Sequence, residues 1–278
     1  MIDNIAAAVR DGDSFRKVEL GDPVVTPEDV RRVIVPFDNL RRRPLNRIKA
    51  AAARAIAKRA TEALNTRTEI VGLENALSVE GGAIITCNHF NPMDSTVIRY
   101  MAMKCGRASE LSIVVQESNI FMKGFFGFLM RNCNTMPVSS SASYMAKNLK
   151  PALKERLGRG ELILIYPEQE MWFNYRKPRE LRVGAYHYAA ELSVPILPCF
   201  VEMRECEQTD ETGFYTVKHI LHVMPPIYPD PSLTLRENRD RLLMLDSEAK
   251  RSCYESSYGI ALDSVFVPER DIAGFRNI

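Results

Sequence analysis

The sequence predicts an α/β fold with a mixed, largely parallel central sheet flanked by helices, preceded by a basic helical segment. Three observations predict it. From residue 68 onward, short apolar runs alternate with longer stretches of helical periodicity, the signature of strands and the helices that cover them. The runs themselves, such as Leu162-Ile163-Leu164-Ile165, are nearly continuous blocks of Ile, Leu and Val, as expected of strands buried on both faces. The chain has 278 residues, of which 46% are hydrophobic and 26% charged. That is enough apolar material for one large core or a core with an appendage, so disorder is not expected. We divide the chain into residues 1–67, an acidic lead-in and a basic helical segment, and residues 68–278, the α/β domain.

The elements follow in order. Residues 1–27 are acidic and turn-rich, with Gly12, Gly21, Pro23 and Pro27, and are expected to form a mobile or loosely docked lead-in. Thr26-Pro27-Glu28-Asp29 reads as a helix start: a capping hydroxyl, a proline in the first turn, then acids. Residues 44–65 read as one long alanine-rich helix opened by Pro44, with Leu45, Ile48, Ile56 and Leu64 near helical spacing. Seven strands are expected at Glu69–Gly72, Ala83–Cys87, Leu111–Gln116, Asn134–Val138, Glu161–Tyr166, Ile196–Glu202 and Tyr215–Val223. Helices are expected between them at Asp94–Lys104, Met122–Asn132, Ser143–Leu157 and Leu181–Leu192, with a last one from Leu235 to Ser256.

Charge is concentrated. Residues 31–67 hold eleven cations and two acids, a net +9, against +2 for the whole chain. A local excess of one sign speaks about partners: anionic lipid headgroups, nucleic acid or an acidic carrier protein. The helix at 44–65 fits a bilayer interface with its cations toward anionic lipid, and equally a solvated surface helix, since alanine grips lipid weakly. It lacks interleaved aromatics and any recognised nucleic-acid module, so nucleic acid is not expected as a partner. No two of the six cysteines have C-x-x-C spacing, and several lie in apolar runs, which fits buried thiols in a reducing cytoplasm. Residues 1–10 lack a basic region followed by a long apolar core, and no apolar run is long enough to span a bilayer. The expected location is the cytoplasm, peripherally on a membrane.

One turn carries chemistry. The strand Ala83–Cys87 runs into Asn88-His89-Phe90-Asn91-Pro92-Met93-Asp94. With Asn91-Pro92 as cap and first turn, Asp94 falls at the third position of the next helix. His89 then leaves the carboxyl end of a strand, where ligand sites of α/β sheets collect. A carboxylate five residues on can fold back to one imidazole nitrogen, fix its tautomer and stabilise imidazolium. The other nitrogen can take a proton from an attacking hydroxyl. On spacing alone the motif is weak: Asp94 also suits a helix-terminus charge and His89 a satisfied loop histidine.

Further blocks follow in order. Asn88-His89-x4-Asp94 resembles the first motif of the phospholipid/glycerol acyltransferase family, which includes lysophosphatidate acyltransferases. Gly127 to Arg131, continuing through Met136-Pro137-Val138, resembles the second. Glu161 through Tyr166-Pro167-Glu168 resembles the strand ending in the family's F-P-E-G-T-R signature, and Arg182-Val183-Gly184-Ala185 the turn after it. Val194-Pro195-Ile196-Leu197-Pro198 resembles V-P-I-V-P. The likeness spans about residues 70 to 225. It implies transfer of a fatty acyl group from acyl-CoA or acyl carrier protein to a lysophospholipid or similar lipid hydroxyl, in phospholipid biosynthesis. His89 would be the general base and Asp94 its orienting partner. Asn88, Arg131, Pro167 and Glu168 would shape the substrate site, and the helix start near Pro92 would offer backbone N–H groups to developing charge. No metal or tightly bound cofactor is implied.

Two departures bear on the acceptor. Ser139-Ser140-Ser141 stands where many members carry a phosphate-binding arginine, and F-P-E-G-T-R becomes Tyr166-Pro167-Glu168-Gln169-Glu170-Met171. An arginine fork suits phosphate as serine and methionine cannot. Arg176 and Lys177, in the segment Trp172–Arg179, are expected to replace those contacts, while Arg179 reads as an ordinary solvated loop residue. Trp172 is a candidate membrane-interface residue, and Phe121–Met130 fits either an acyl channel or buried helix packing. The alternatives are a non-catalytic lipid-binding relative and an acyltransferase whose acceptor lacks phosphate.

Overall fold

The computed structural model describes residues 1–209 and 213–276. Seven strands form one sheet: β1 (Glu69–Val71), β2 (Ala83–Thr86), β3 (Leu111–Gln116), β4 (Thr135–Val138), β5 (Leu162–Ile165), β6 (Ile196–Thr209) and β7 (Tyr215–Val223). Their order is β1-β7-β6-β2-β5-β3-β4. All neighbours pair in parallel except β6 and β7, which form an antiparallel ladder with an irregularity between Glu205 and Thr209. β2 lies between β6 and β5, with Thr86 opposite both Pro198 and Ile165.

The principal helices are α1 (Ile2–Arg10), α2 (Pro44–Leu64), α3 (Ser95–Lys104), α4 (Gly124–Asn132), α5 (Lys150–Gly158), α6 (Gly184–Leu192) and α7 (Leu235–Tyr258). Alternation along each strand divides the core into two layers, as a sheet covered on both faces requires. Ile85, Leu164 and Leu197 pack with Val97, Ile98 and Met101 of α3 on one face. Ile84, Ile163 and Ile196 pack with Leu153 of α5 and Tyr186 and Ala189 of α6 on the other.

α7 starts with a reciprocal capping box between Thr234 and Glu237 and ends at Gly259, whose φ of 68° suits glycine. On its buried face Lys250 pairs with Asp246, both side chains fully inaccessible. Thr86 donates to Asp246 (2.7 Å), Lys250 donates to Thr86 (2.8 Å), and the Tyr186 hydroxyl donates to Asp246. The network therefore ties α7 and α6 to the end of β2, three residues before His89.

The lead-in, expected to be mobile or loosely docked, is packed on the domain through buried side chains. Ile5 and Ala8 of α1 pack on Trp172, Tyr175 and Ile272, and Val18 is also buried. Thr26 and Asp29 form the expected capping box, and the helical turns after them bury Val30, Ile34 and Phe37 in the second core layer. α2 buries Ala50 and Ala53, the latter against Leu129 and Cys133. Among the described residues no helix is long and apolar enough to cross a membrane.

Candidate active site

β2 and β5 run side by side, so the segments leaving their carboxyl ends meet. His89 Nδ1 lies 2.7 Å from Asp94 Oδ2. The same oxygen accepts the backbone N–H groups of Phe90 (3.1 Å) and Asn91 (3.4 Å), and Oδ1 accepts the Tyr166 hydroxyl at 2.7 Å. Asp94 is buried. Four donors converge on it and fix its orientation. The Tyr166 ring also stacks on the imidazole, centroids 4.2 Å apart at 15°. Burial, and then Asp94, push the Tyr166 hydroxyl well above its ordinary range, so it stays a neutral donor.

Since Asp94 only accepts, Nδ1 carries the proton and Nε2 the lone pair; no described residue hydrogen-bonds Nε2. The imidazole borders a cavity of about 570 Å³. Pro167, Gln169, Glu170 and Met171 form one wall, and Met122, Phe126, Leu129 and Met130 an apolar one. Ala57, Ala60 and Thr61 of α2 and Leu149 and Leu153 extend it. Lys17, Glu19 and Asp22 cross its rim. Burial, reinforced by Asp22, raises the Glu19 carboxyl.

The sheet topology and this site meet a known group. Residues 67–202 match the model of the acyltransferase family. That segment is an acyltransferase domain. In fold the chain is similar to the crystal structure of the 1-acyl-sn-glycerophosphate (LPA) acyltransferase PlsC from Thermotoga maritima, with a TM-score of 0.51. Sequence identity is 16%, over 83% of this chain and 89% of that one. Among curated proteins none matches significantly in sequence.

Within the acyltransferase domain, several expected substrate contacts are engaged elsewhere. Asn88 acts as an extra strand residue: it accepts the Val201 N–H (2.8 Å) and donates to the Val201 carbonyl (3.1 Å), locking β2 to β6. Arg131 donates to the carbonyls of Ile120 and Met122, both at 2.9 Å. It braces a turn where Gly127 is packed so tightly that a β-carbon would collide with the Met122 carbonyl. Glu168 is buried and accepts the His89 backbone N–H (3.2 Å), besides pairing with Arg179 (3.0 Å). It holds the backbone of His89 and is absent from the cavity wall; Pro167 alone of the expected binding residues lies in that wall.

Arg176 and Lys177, expected to contact the acceptor, lie outside the cavity wall and are paired within the protein. Arg176 donates to the Arg270 carbonyl and pairs with Glu205, both at 2.7 Å. Lys177 is buried between Asp263 (2.7 Å) and Asp271 (3.0 Å). Both staple the segment to residues 263–271. Arg179 is likewise buried, not solvated: it reaches Glu168, the Glu170 carbonyl and the Ser14 carbonyl (2.8 Å), under Trp172 at 4.5 Å. Trp172 is buried and donates to the Arg16 carbonyl at 2.9 Å, so it is no interface anchor. The turn differs from expectation too. α3 begins at Ser95 with Asp94 as the residue before it. The N–H groups of Phe90 and Asn91 go to Asp94 and that of Met93 to the Asn91 side chain, so these three are not open to developing charge.

Sequence reasoning missed the rim residues Lys17, Glu19 and Asp22, because nothing local marks a lead-in as part of a site. It also missed Arg99 in the cavity wall. Arg99 had a signal: a lone cation inside Val97-Ile98-Arg99-Tyr100-Met101.

Proposed function

We propose that the protein is an O-acyltransferase that moves a fatty acyl group from acyl-CoA or acyl carrier protein to a lysophospholipid or similar lipid hydroxyl, in phospholipid biosynthesis. The supporting observation is the His89–Asp94–Tyr166 arrangement at the edge of a largely apolar cavity. The acceptor hydroxyl donates to Nε2 of His89 as its oxygen attacks the thioester carbonyl. Asp94 stabilises the imidazolium that forms. Collapse of the tetrahedral intermediate breaks the carbon–sulfur bond, and the departing thiolate takes the proton from the imidazolium. No protein nucleophile is needed, because the acceptor supplies the hydroxyl. Met122, Phe126 and Leu129 offer an apolar wall for acyl chains.

The test uses pure protein, labelled acyl-CoA or acyl carrier protein, and a panel of lysolipids. Product is expected from the wild type, and His89→Ala should lower kcat by about 10²–10⁴-fold, the range for removing a general base. Equal product from both proteins would remove His89 from the mechanism. Binding of lysolipid with no product from any donor would indicate a lipid-binding relative instead.

A further inference from the structure

Arg99 is a buried cation without a partner. It stands midway along α3 and is only 8% exposed. Other deeply buried cations each have an acid: Arg179 has Glu168, Lys177 has Asp271 and Lys250 has Asp246. Among the described residues nothing accepts from the Arg99 guanidinium and no aromatic ring lies beneath it. Burial lowers its pKa, and no carboxylate offsets that effect. Its nitrogens keep some accessibility, and a largely buried charge without a counter-charge marks a place where a ligand can complete it.

The guanidinium belongs to the wall of the His89 cavity. So does Thr61 of α2, whose hydroxyl oxygen is buried and also unpartnered. Asn65 donates to both the Thr61 carbonyl (2.9 Å) and the Thr96 hydroxyl (3.2 Å), which sets Thr61 against the first turn of α3, one turn before Arg99. Helical side chains lean toward the helix amino terminus, here toward Asp94. Along the axis, residues 94 and 99 are separated by about 7.5 Å, five residues at about 1.5 Å each. Both residues border the same cavity, so a group held by Arg99 and a hydroxyl placed on His89 share one space.

The other cavity charges narrow the ligand. Lys17 is paired with Asp22, and Arg182 lies over the Phe15 ring at 3.6 Å. Glu19, Asp22 and Glu170 are the remaining charged groups of the wall apart from the His89–Asp94 pair. An anion is thus repelled at the rim and met by a single unpaired fork inside. A guanidinium fork with an adjacent hydroxyl suits a phosphate oxyanion.

We propose that Arg99 and Thr61 form the anion subsite of this cavity, taking the phosphate monoester of the acceptor lipid. The proposal rests on the acyltransferase reading for the identity of that lipid, and it puts the phosphate contact on α3 and α2, away from the motif positions now held by serine and methionine.

The test compares wild type, Arg99→Gln and Arg99→Lys, by thermal unfolding and by turnover, with short-chain 1-acylglycerol 3-phosphate, the matching monoacylglycerol, and a free fatty acid. Without lipid, Arg99→Gln should melt at or above the wild type, because an uncompensated charge is gone. The phosphate lipid should raise the melting temperature of the wild type and not that of Arg99→Gln. In turnover, the preference for the phosphate acceptor over monoacylglycerol, as a ratio of kcat/KM, should fall at least about tenfold in Arg99→Gln and less in Arg99→Lys. A lipid-free melting temperature well below wild type would make Arg99 a structural residue. Equal stabilisation of wild type and Arg99→Gln by the phosphate lipid would overturn the subsite, and fatty acid acting as well as the phosphate lipid would reassign it to a carboxylate. If wild type transfers to no acceptor, the enzymatic reading fails while the binding comparison still decides the role of Arg99.

Discussion

Tyr166 occupies a position where the resembling motif has phenylalanine, and its hydroxyl makes one of the four donations to Asp94. Tyr166→Phe keeps the ring that stacks on His89 and deletes only that donation. Two effects should follow. A buried carboxylate oxygen loses its one recorded partner, which costs about 1–3 kcal/mol of stability, measurable by chemical denaturation. Asp94 also loses a contact that fixes its orientation against His89, so kcat should fall by about 3- to 10-fold with KM unchanged. An unmoved kcat with lowered stability would limit Tyr166 to packing. The His89–Asp94 pairing was legible in the sequence because six consecutive residues enclose it. The Tyr166 contact was not, since it crosses between β2 and β5, and their adjacency is set by the sheet order.

At the scale of elements, all seven strands were legible, the central ones most clearly, because β2, β5 and the first half of β6 are apolar runs buried on pairing, whereas the exposed polar half of β6 after Met203 was not foreseen. The cation-rich segment after β5 was not. Residues 176–179 look solvated in one dimension, yet the chain from 263 to 274 folds over them and brings Asp263 and Asp271, far along the sequence. α1 escaped notice for the same reason: Ile5 and Ala8 are too few to announce a helix until Trp172 supplies the surface they pack on. The consequence is testable. Lys177→Ala removes one of the two cations on buried Asp271, Arg270 being the other, and should destabilise the protein by about 1–3 kcal/mol. Arg176→Ala, half of a pair with a partly exposed Glu205, should cost less. Neither should change the acceptor KM in the folded protein. A raised KM in both, with stability intact, would return these residues to the substrate site.

Over the whole molecule, the concentrated charge and the cavity meet on successive stretches of one helix. α2 turns Arg47, Lys49 and Arg54 to solvent together with Leu45 and Ile48, which are 64% and 69% exposed. Its later turns give Ala57, Ala60 and Thr61 to the cavity wall. Nearby on α4, which packs on α2, Phe125 is exposed and Phe126 is both exposed and part of that wall. A surface with cations beside exposed aliphatic and aromatic side chains suits the interface of an anionic bilayer. Docked there, it would place the cavity next to its lipid substrates. Each such cation contributes about 1 kcal/mol near an anionic surface at moderate salt. Replacing Arg47, Lys49 and Arg54 together with glutamine should thus weaken binding to anionic vesicles by roughly a hundredfold, as read by sedimentation. Wild-type binding should also fall as the Debye length shrinks from about 30 Å at 0.01 M salt to about 10 Å at 0.1 M, and it should be weak on neutral vesicles at either salt. These exposed side chains are not in the cavity wall, so acyl transfer to a monomeric short-chain acceptor in solution should be preserved in the triple variant. Transfer to acceptor embedded in anionic vesicles should drop with the binding. Sedimentation indifferent to both salt and the three substitutions would sink the electrostatic attachment, and the +9 segment would then be a solvated surface of the domain.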